Sequence, residues 1–295
     1  MAIGTIGIVG VGSMGRPMAE NLIKAGYQVS VCDIRGEALA PFEQRNIKAS
    51  RVAADLAGND MVIVMVGNDA DVALVTSGPN GLLSAIDADR APYVAIMSSV
   101  LPRTILAAAE ALGAKNAVVV DAPVSGGPVR AAEAAMSIMA AGPDEVFAAL
   151  KPVFDTLGKP VFHCGAVGSA AGVKIVNNIV GVANMLLVNE AVHLATALGI
   201  DLPFLTGVME VSSGRSFASG NYPAYRDLML SNSGDPAVTS RLLAILRKDL
   251  KLGSTLAGET GIGTPVLDAL SKATDALGEE DLWSRWQAAA AKMPG

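Results

Sequence analysis

Six residues near the start of the chain, Gly10-Val11-Gly12-Ser13-Met14-Gly15, constrain its fold more than any other feature. They follow an apolar run over residues 5–9 and lead into an amphipathic stretch over residues 17–25, so the spacing predicts strand, glycine turn, helix. In such a turn the first glycine permits the sharp bend. The second lets a pyrophosphate approach the backbone, and the third lets the helix pack on the sheet. The helix start adds free N–H groups and the positive end of its dipole. A second apolar run, residues 28–32, ends at Asp33, where a carboxylate can accept hydrogen bonds from a ribose 2′-hydroxyl. The pattern implies a dinucleotide site, with a purely structural turn as the alternative. Asp33 favours NAD because it repels a 2′-phosphate. Arg35 reads either as a solvated loop charge or as a contact for that phosphate, which keeps NADP open.

The same rhythm continues. Residues 61–66, 93–97 and 117–120 read as strands, and residues 53–57, 70–75 and 104–112 as helices between them. The strands show no alternation of apolar and polar residues, which predicts a parallel sheet covered on both faces. One further unit follows: a strand over 136–141, a helix over 145–157 and a strand over 160–163. Strand signals then stop. Residues 169–198 carry apolar positions at helical spacing with no proline, and helices are expected over 203–211, 222–230, 239–256, 265–277 and 281–292. The expected fold class is α/β. A Rossmann-type doubly wound sheet spans residues 1–164, and an all-helical domain, joined by the long helix, spans residues 165–295, with the active site in the cleft between them.

Composition narrows the function. Hydrophobic residues make up 51% and charged residues 17%, which excludes disorder. The net charge of -6, with no basic cluster, argues against nucleic acid as a partner. Cys32 and Cys164 have neither disulfide-framework nor metal-ligand spacing, and with His163 and His193 as the only histidines no metal site is expected. A reducing compartment, the cytoplasm, is the default. No basic stretch precedes the first apolar run, which reads as a strand and not as a signal peptide. The longest apolar region, residues 179–188, is shorter than the roughly 20 residues of a membrane span, and it reads as a buried helix.

Two further blocks carry chemistry. Asp121-Ala-Pro-Val-Ser125-Gly126-Gly127 is a strand end and a Ser-Gly-Gly turn. Converging backbone N–H groups and the Ser125 hydroxyl could hold a carboxylate, or the block could be a simple strand-to-helix turn. On the long helix, Lys174, Asn177 and Asn178 fall at i, i+3 and i+4 and share one face. They read either as solvated polar groups of the first turns or as a polar site on an apolar helix.

With these blocks in order, and with Gly165-Ala-Val-Gly168 and Lys248-Asp249-Leu250 beside them, nearly the whole chain resembles the β-hydroxyacid dehydrogenase family. Its members oxidise small 3-hydroxy carboxylic acids such as 3-hydroxyisobutyrate. The resemblance implies that Lys174 is the catalytic acid–base residue and that Asn178 contacts substrate. It also implies that Ser125, Gly126 and Gly127 hold the substrate carboxylate. The cofactor, NAD with NADP possible, is expected against Gly10, Val11, Gly12, Ser13, Met14, Gly15, Asp33, Met65, Val66, Ser99 and Lys248. By itself, Lys248 reads better as a surface helix lysine paired with Asp249. A free lysine titrates near 10.4, so burial must lower it for base catalysis near neutrality. A homo-oligomer, dimer or tetramer, is implied. The competing readings are an imine reductase-type enzyme, in which the lysine is typically replaced, and a non-catalytic dinucleotide-binding module. The chain departs from the family pattern at Ala134, where glycine is frequent, at Arg130, where a small residue is usual, and at Lys251. Arg130 is expected to be solvated or to contact a second anionic group.

Overall fold

The computed structural model describes residues 3–220 and 236–278. The helices expected over 222–230 and 281–292 lie outside the described residues. Two compact units divide the chain, Met1–Ile175 and Val176–Gly295.

In the first unit the strands β1 (Thr5–Val9), β2 (Gln28–Cys32), β3 (Ala49–Ser50), β4 (Met61–Val64), β5 (Tyr93–Ile96) and β6 (Val118–Asp121) form one sheet. Their order is β3-β2-β1-β4-β5-β6, with every pairing parallel. The helices α1 (Gly15–Lys24), α2 (Gly36–Glu43), α3 (Asp69–Ser77) and α4 (Pro102–Gly113) intervene. Strand order reverses between β1 and β4, the switch point at which open α/β sheets bind ligands.

Successive strand residues feed opposite layers. Ile6, Ile8, Met61 and Ile63 pack with Met18, Leu22 and Phe42. Val9, Val62, Val64, Val94 and Ile96 pack with Ile105 and Leu112. All of these are buried, and each contributes roughly 1.5–3 kcal/mol relative to an exposed side chain. Coverage of both faces explains why the strands read as apolar runs. Two elements gave no clear sequence signal. Helix α2 contains Pro41, and β3 is only two residues long.

The unit expected over 136–163 does not extend this sheet. The strands β7 (Val124–Ser125), β8 (Ser137–Ala140) and β9 (Val161–His163) make a separate sheet, with β7 antiparallel and β9 parallel to β8. Pro123 and the Ser-Gly-Gly turn redirect the chain after β6. Helices α5 (Gly127–Ala132) and α6 (Asp144–Asp155) complete this part.

Helix α7 (Ser169–Ala197) runs through the point of division. The compact units meet at Ile175, eleven residues after the expected boundary near residue 164. Its first two turns belong to the first unit because Ala170 and Ala171 are buried in the core there. The second unit, where described, is helical: the remainder of α7, then α8 (Leu202–Glu210), α9 (Phe217–Gly220), α10 (Pro236–Thr260) and α11 (Pro265–Ala276). Val182, Leu246, Leu250 and Leu267 form its core.

The chain itself does not cover all of this helix. Val176, Val180, Leu187 and Leu194 are exposed. Among the described residues α7 is the one helix long and apolar enough to cross a membrane, with mean hydropathy 1.6 over its most apolar window. The sequence reading underestimated it because isolated asparagines interrupt the apolar run. Those same groups, with Lys174, Glu190 and His193, are costly in hydrocarbon.

Candidate functional site

The parallel register aligns the carboxyl ends of five strands. Val9 pairs with Cys32 and Val64, Val64 with Ile96, and Ile96 with Asp121. The residues that follow, Gly10, Asp33, Met65, Met97 and Ala122, therefore lie along one edge of the sheet.

The three glycines have separable roles. Gly10 sits at φ +92, and a Cβ there would lie 2.1 Å from the Met65 carbonyl oxygen. A Cβ on Gly15 would lie 1.9 Å from the Gly10 carbonyl oxygen. Backbone packing alone requires both. Gly12 differs, since its Cβ would meet only Arg35 Nη2 at 3.5 Å, an ordinary contact. Ser13 is exposed, and Met14 at the N-cap of α1 supplies no side-chain acceptor for the first N–H groups of the helix. An open cradle beside uncapped N–H donors fits a pyrophosphate.

Asp33 is buried and fully engaged. Its Oδ2 accepts from the Val11 N–H at 3.1 Å and from Arg35 Nη2 at 3.0 Å. Its Oδ1 accepts from the Arg35 N–H and Nε, each at 3.0 Å. Burial works against the charge, but these bonds outweigh it and hold the carboxyl below its usual range. Arg35 stays exposed, as a solvated loop charge would, but it is not unpaired. It pairs with Asp33 beside the glycine turn.

Met65 and Val66 are half-buried where β4 meets the glycine loop. The Met65 N–H donates to the Val9 carbonyl at 2.8 Å, and the Val66 N–H donates to Ser98 Oγ at 2.8 Å. Ser99, after β5, is half-buried. The Ser125 turn follows β6. Gly126 and Gly127 take φ values of 137 and 70, backbone that favours glycine. A Cβ on Gly126 would also strike Arg130 Cβ at 2.8 Å. Arg130 Nε donates to the Ala135 carbonyl at 2.8 Å, so this residue braces the turn. Ala134 takes φ 53, which accounts for glycine being frequent there.

Lys174 is buried, at 6% exposure. The helix start that carries it docks on Asp121, whose Oδ1 accepts from the Gly168 N–H at 2.7 Å and whose Oδ2 accepts from the Ala171 N–H at 2.8 Å. Sequence reasoning quoted Asp121 in a block but gave it no role. The signal was its position one strand end away from the Ser125 turn.

In the second unit Asn178 Nδ2 donates to Asp249 Oδ2 at 2.8 Å, joining α7 to α10. Lys248 Nζ lies 3.1 Å from Asp249 Oδ1, the neighbour pairing that the sequence allowed. That oxygen nevertheless accepts no hydrogen bond, so the contact is one of charge alone. Asn177 is exposed, so Lys174, Asn177 and Asn178 do not share one environment. Cys32 and Cys164 are free thiols, and burial, with Asp33 and Asp55 nearby, pushes the Cys32 thiol up to about 11.

Sheet order, switch point and open glycine cradle together define a Rossmann-type dinucleotide-binding oxidoreductase. Residues 5–165 match the model of the NAD-binding domain of 6-phosphogluconate dehydrogenase. Residues 168–293 match that of the NAD-binding region of NADP-dependent 3-hydroxyisobutyrate dehydrogenase. The 3-hydroxyisobutyrate dehydrogenase of Pseudomonas aeruginosa is 32% identical over 269 residues, covering 90% of this chain and 89% of that one. The 2-(hydroxymethyl)glutarate dehydrogenase of Eubacterium barkeri is 36% identical over 217 residues, covering 72% and 70%. The crystal structure of 3-hydroxyisobutyrate dehydrogenase from Salmonella typhimurium superposes with a TM-score of 0.77 at 27% identity, covering 96% and 99%. The chain belongs to the β-hydroxyacid dehydrogenase family and is an NAD(P)-dependent hydroxyacid dehydrogenase.

Proposed function

We propose that this enzyme interconverts a small 3-hydroxy carboxylic acid, of the 3-hydroxyisobutyrate kind, and its semialdehyde, with Lys174 as the acid–base residue. The observation that carries this reading is the burial of Lys174 on a helix start docked at the strand end that delivers Ser125. The relatives' substrates supply the chemical class.

When bound, NAD(P) supplies the two-electron acceptor. The protein must move one proton at the substrate oxygen. Neutral Lys174 Nζ takes the hydroxyl proton during oxidation, and the ammonium returns it during reduction. Asn178 is a substrate-contacting residue, with one amide N–H committed to Asp249 and the other left to donate. Ser125, Gly126 and Gly127 take the carboxylate through the hydroxyl and the backbone N–H groups of the left-handed turn. The glycine loop, Val11, Ser13, Met14, Asp33, Met65, Val66 and Ser99 form the cofactor side of the site in the first unit.

The assembly is a homo-oligomer, built on the exposed apolar side of α7, where Val180, Leu187 and Leu194 recur every seven residues. Two free thiols support a cytoplasmic setting.

Turnover of a panel of 3-hydroxy acids, and of their semialdehydes in reverse, with NAD and with NADP tests the reading. Wild type is expected to oxidise at least one 3-hydroxy acid. Ser125→Ala is expected to raise KM for that acid by about tenfold, the loss of one hydrogen bond to a charged group. Oxidation confined to 2-hydroxy acids contradicts the proposed substrate class.

A further inference from the structure

The N-terminus of α7 lacks a local cap. Gly168, at φ 92, has no side chain to offer, and the next residue, Ser169, gives its N–H to the Ala166 carbonyl. The acceptor for this helix start comes from far away in sequence. Asp121 divides its two oxygens between the Gly168 and Ala171 N–H groups, 47 and 50 residues distant. Both oxygens accept, which is the bonding of an ionised carboxylate at the positive end of a helix dipole.

This carboxylate is fully buried. Burial pushes it above the usual carboxylate range, more than its backbone donors hold it down. A charge kept in the core under those terms is an expensive way to cap a helix, and with Gly168 at φ 92 no side chain caps it locally. What Asp121 does that a local cap cannot is fix the helix to a second element. Its backbone belongs to β6, paired with Ile96, and its carbonyl accepts from the Ala141 N–H at 2.8 Å. The chain leaves it directly for Ser125, four residues on. At the other end of the link, Ala170 and Ala171 are buried and small, so the first turn of α7 sits close to the core. Lys174 lies one turn further along.

We propose that Asp121 is a positioning residue, which holds the Lys174 turn of α7 in register with the Ser125 turn. This rests on the acid–base role given to Lys174 above. Asp121 does not touch substrate. It sets the height and rotation of α7 relative to β6, and a misplacement of about 1 Å at a reacting group costs on the order of a hundredfold in rate.

Asp121→Asn keeps the shape but offers one acceptor and one donor to two N–H groups. Its test is kcat per bound-cofactor site, with the site concentration titrated by NAD(P)H fluorescence, so that unfolded protein drops out of the count. The expected result is a loss of at least about tenfold in kcat per site, with the NAD(P)H dissociation constant and the substrate KM within about threefold of wild type. A smaller loss overturns the proposal, and so does a loss shared equally by cofactor and substrate binding. Should Asp121→Asn not fold, Asp121→Ser removes the charge, keeps one acceptor and adds no atoms, and carries the same readouts. Failure of both to fold makes the residue structural and overturns the proposal as well. Lys174→Ala is measured in parallel. If it retains turnover, the acid–base reading has failed. If it is inactive while Asp121→Asn is normal, only the positioning role has failed.

Discussion

The three glycines of the loop allow dinucleotide binding to be separated from folding. At Gly12 a new methyl group meets only Arg35 Nη2, at 3.5 Å, and the φ there is not left-handed. Gly12→Ala therefore folds. Restricting the unfolded chain stabilises it by about 0.4–1 kcal/mol, a rise of a few degrees at most, at roughly 2–4 °C per kcal/mol for a unit of this size. The same methyl group occupies the face that the pyrophosphate must approach. Losing one charge-assisted hydrogen bond there costs about 1.5–3 kcal/mol, or roughly 10- to 150-fold in cofactor affinity. Gly15→Ala behaves in the opposite way. Its Cβ would sit 1.9 Å from the Gly10 carbonyl oxygen, so helix and loop must separate, at a cost of about 3 kcal/mol or more. Thermal melts and NAD(P)H fluorescence titrations on both variants provide the assay. A folded Gly12→Ala protein that binds cofactor as tightly as wild type refutes the assignment of the loop.

Three further outcomes are expected. Ala134→Gly relieves a left-handed alanine at φ 53 and raises stability by about 1 kcal/mol, read as an upward shift in Tm. An unchanged or lower Tm contradicts the strain. In Arg35→Ala, Asp33 loses two of its four donors, Nε and Nη2, and keeps the two backbone N–H groups, so its carboxylate gains room to accept from ribose hydroxyls. The NADP KM should rise by about tenfold or more while the NAD KM holds or falls, and equal change for both cofactors removes Arg35 from selectivity. Leu187→Asp places a charge in the exposed apolar stripe of α7, so size-exclusion chromatography with light scattering should show a smaller species than wild type. An unchanged assembly places the interface elsewhere.

The doubly wound sheet was legible because both of its faces are covered, which turns each strand into an apolar run bounded by turn residues. The glycine loop was legible because backbone packing at Gly10 and Gly15 admits no side chain. What stayed hidden depends on pairings distant in sequence. Arg35 looked like a loose loop charge, and only the folded chain shows it clasping Asp33. Arg130 looked solvated, yet it closes on the Ala135 carbonyl. The two family models divide the chain between residues 165 and 168, as the sequence does, whereas the contact between Asp121 and the start of α7, which nothing local reveals, carries the first compact unit on to Ile175. The second sheet was missed because β7 is two residues long and its antiparallel partner lies beyond a short helix. The exposed side of α7 reads in sequence like a buried one, since apolar periodicity does not say what covers it.

The central claim is that Lys174 carries the proton transfer. Its most direct test is the rate of hydroxy-acid oxidation by Lys174→Ala, followed by the absorbance of reduced cofactor and normalised to cofactor-binding sites. The account predicts a loss of about a hundredfold or more, with cofactor binding intact. Near-normal turnover in that variant would contradict it.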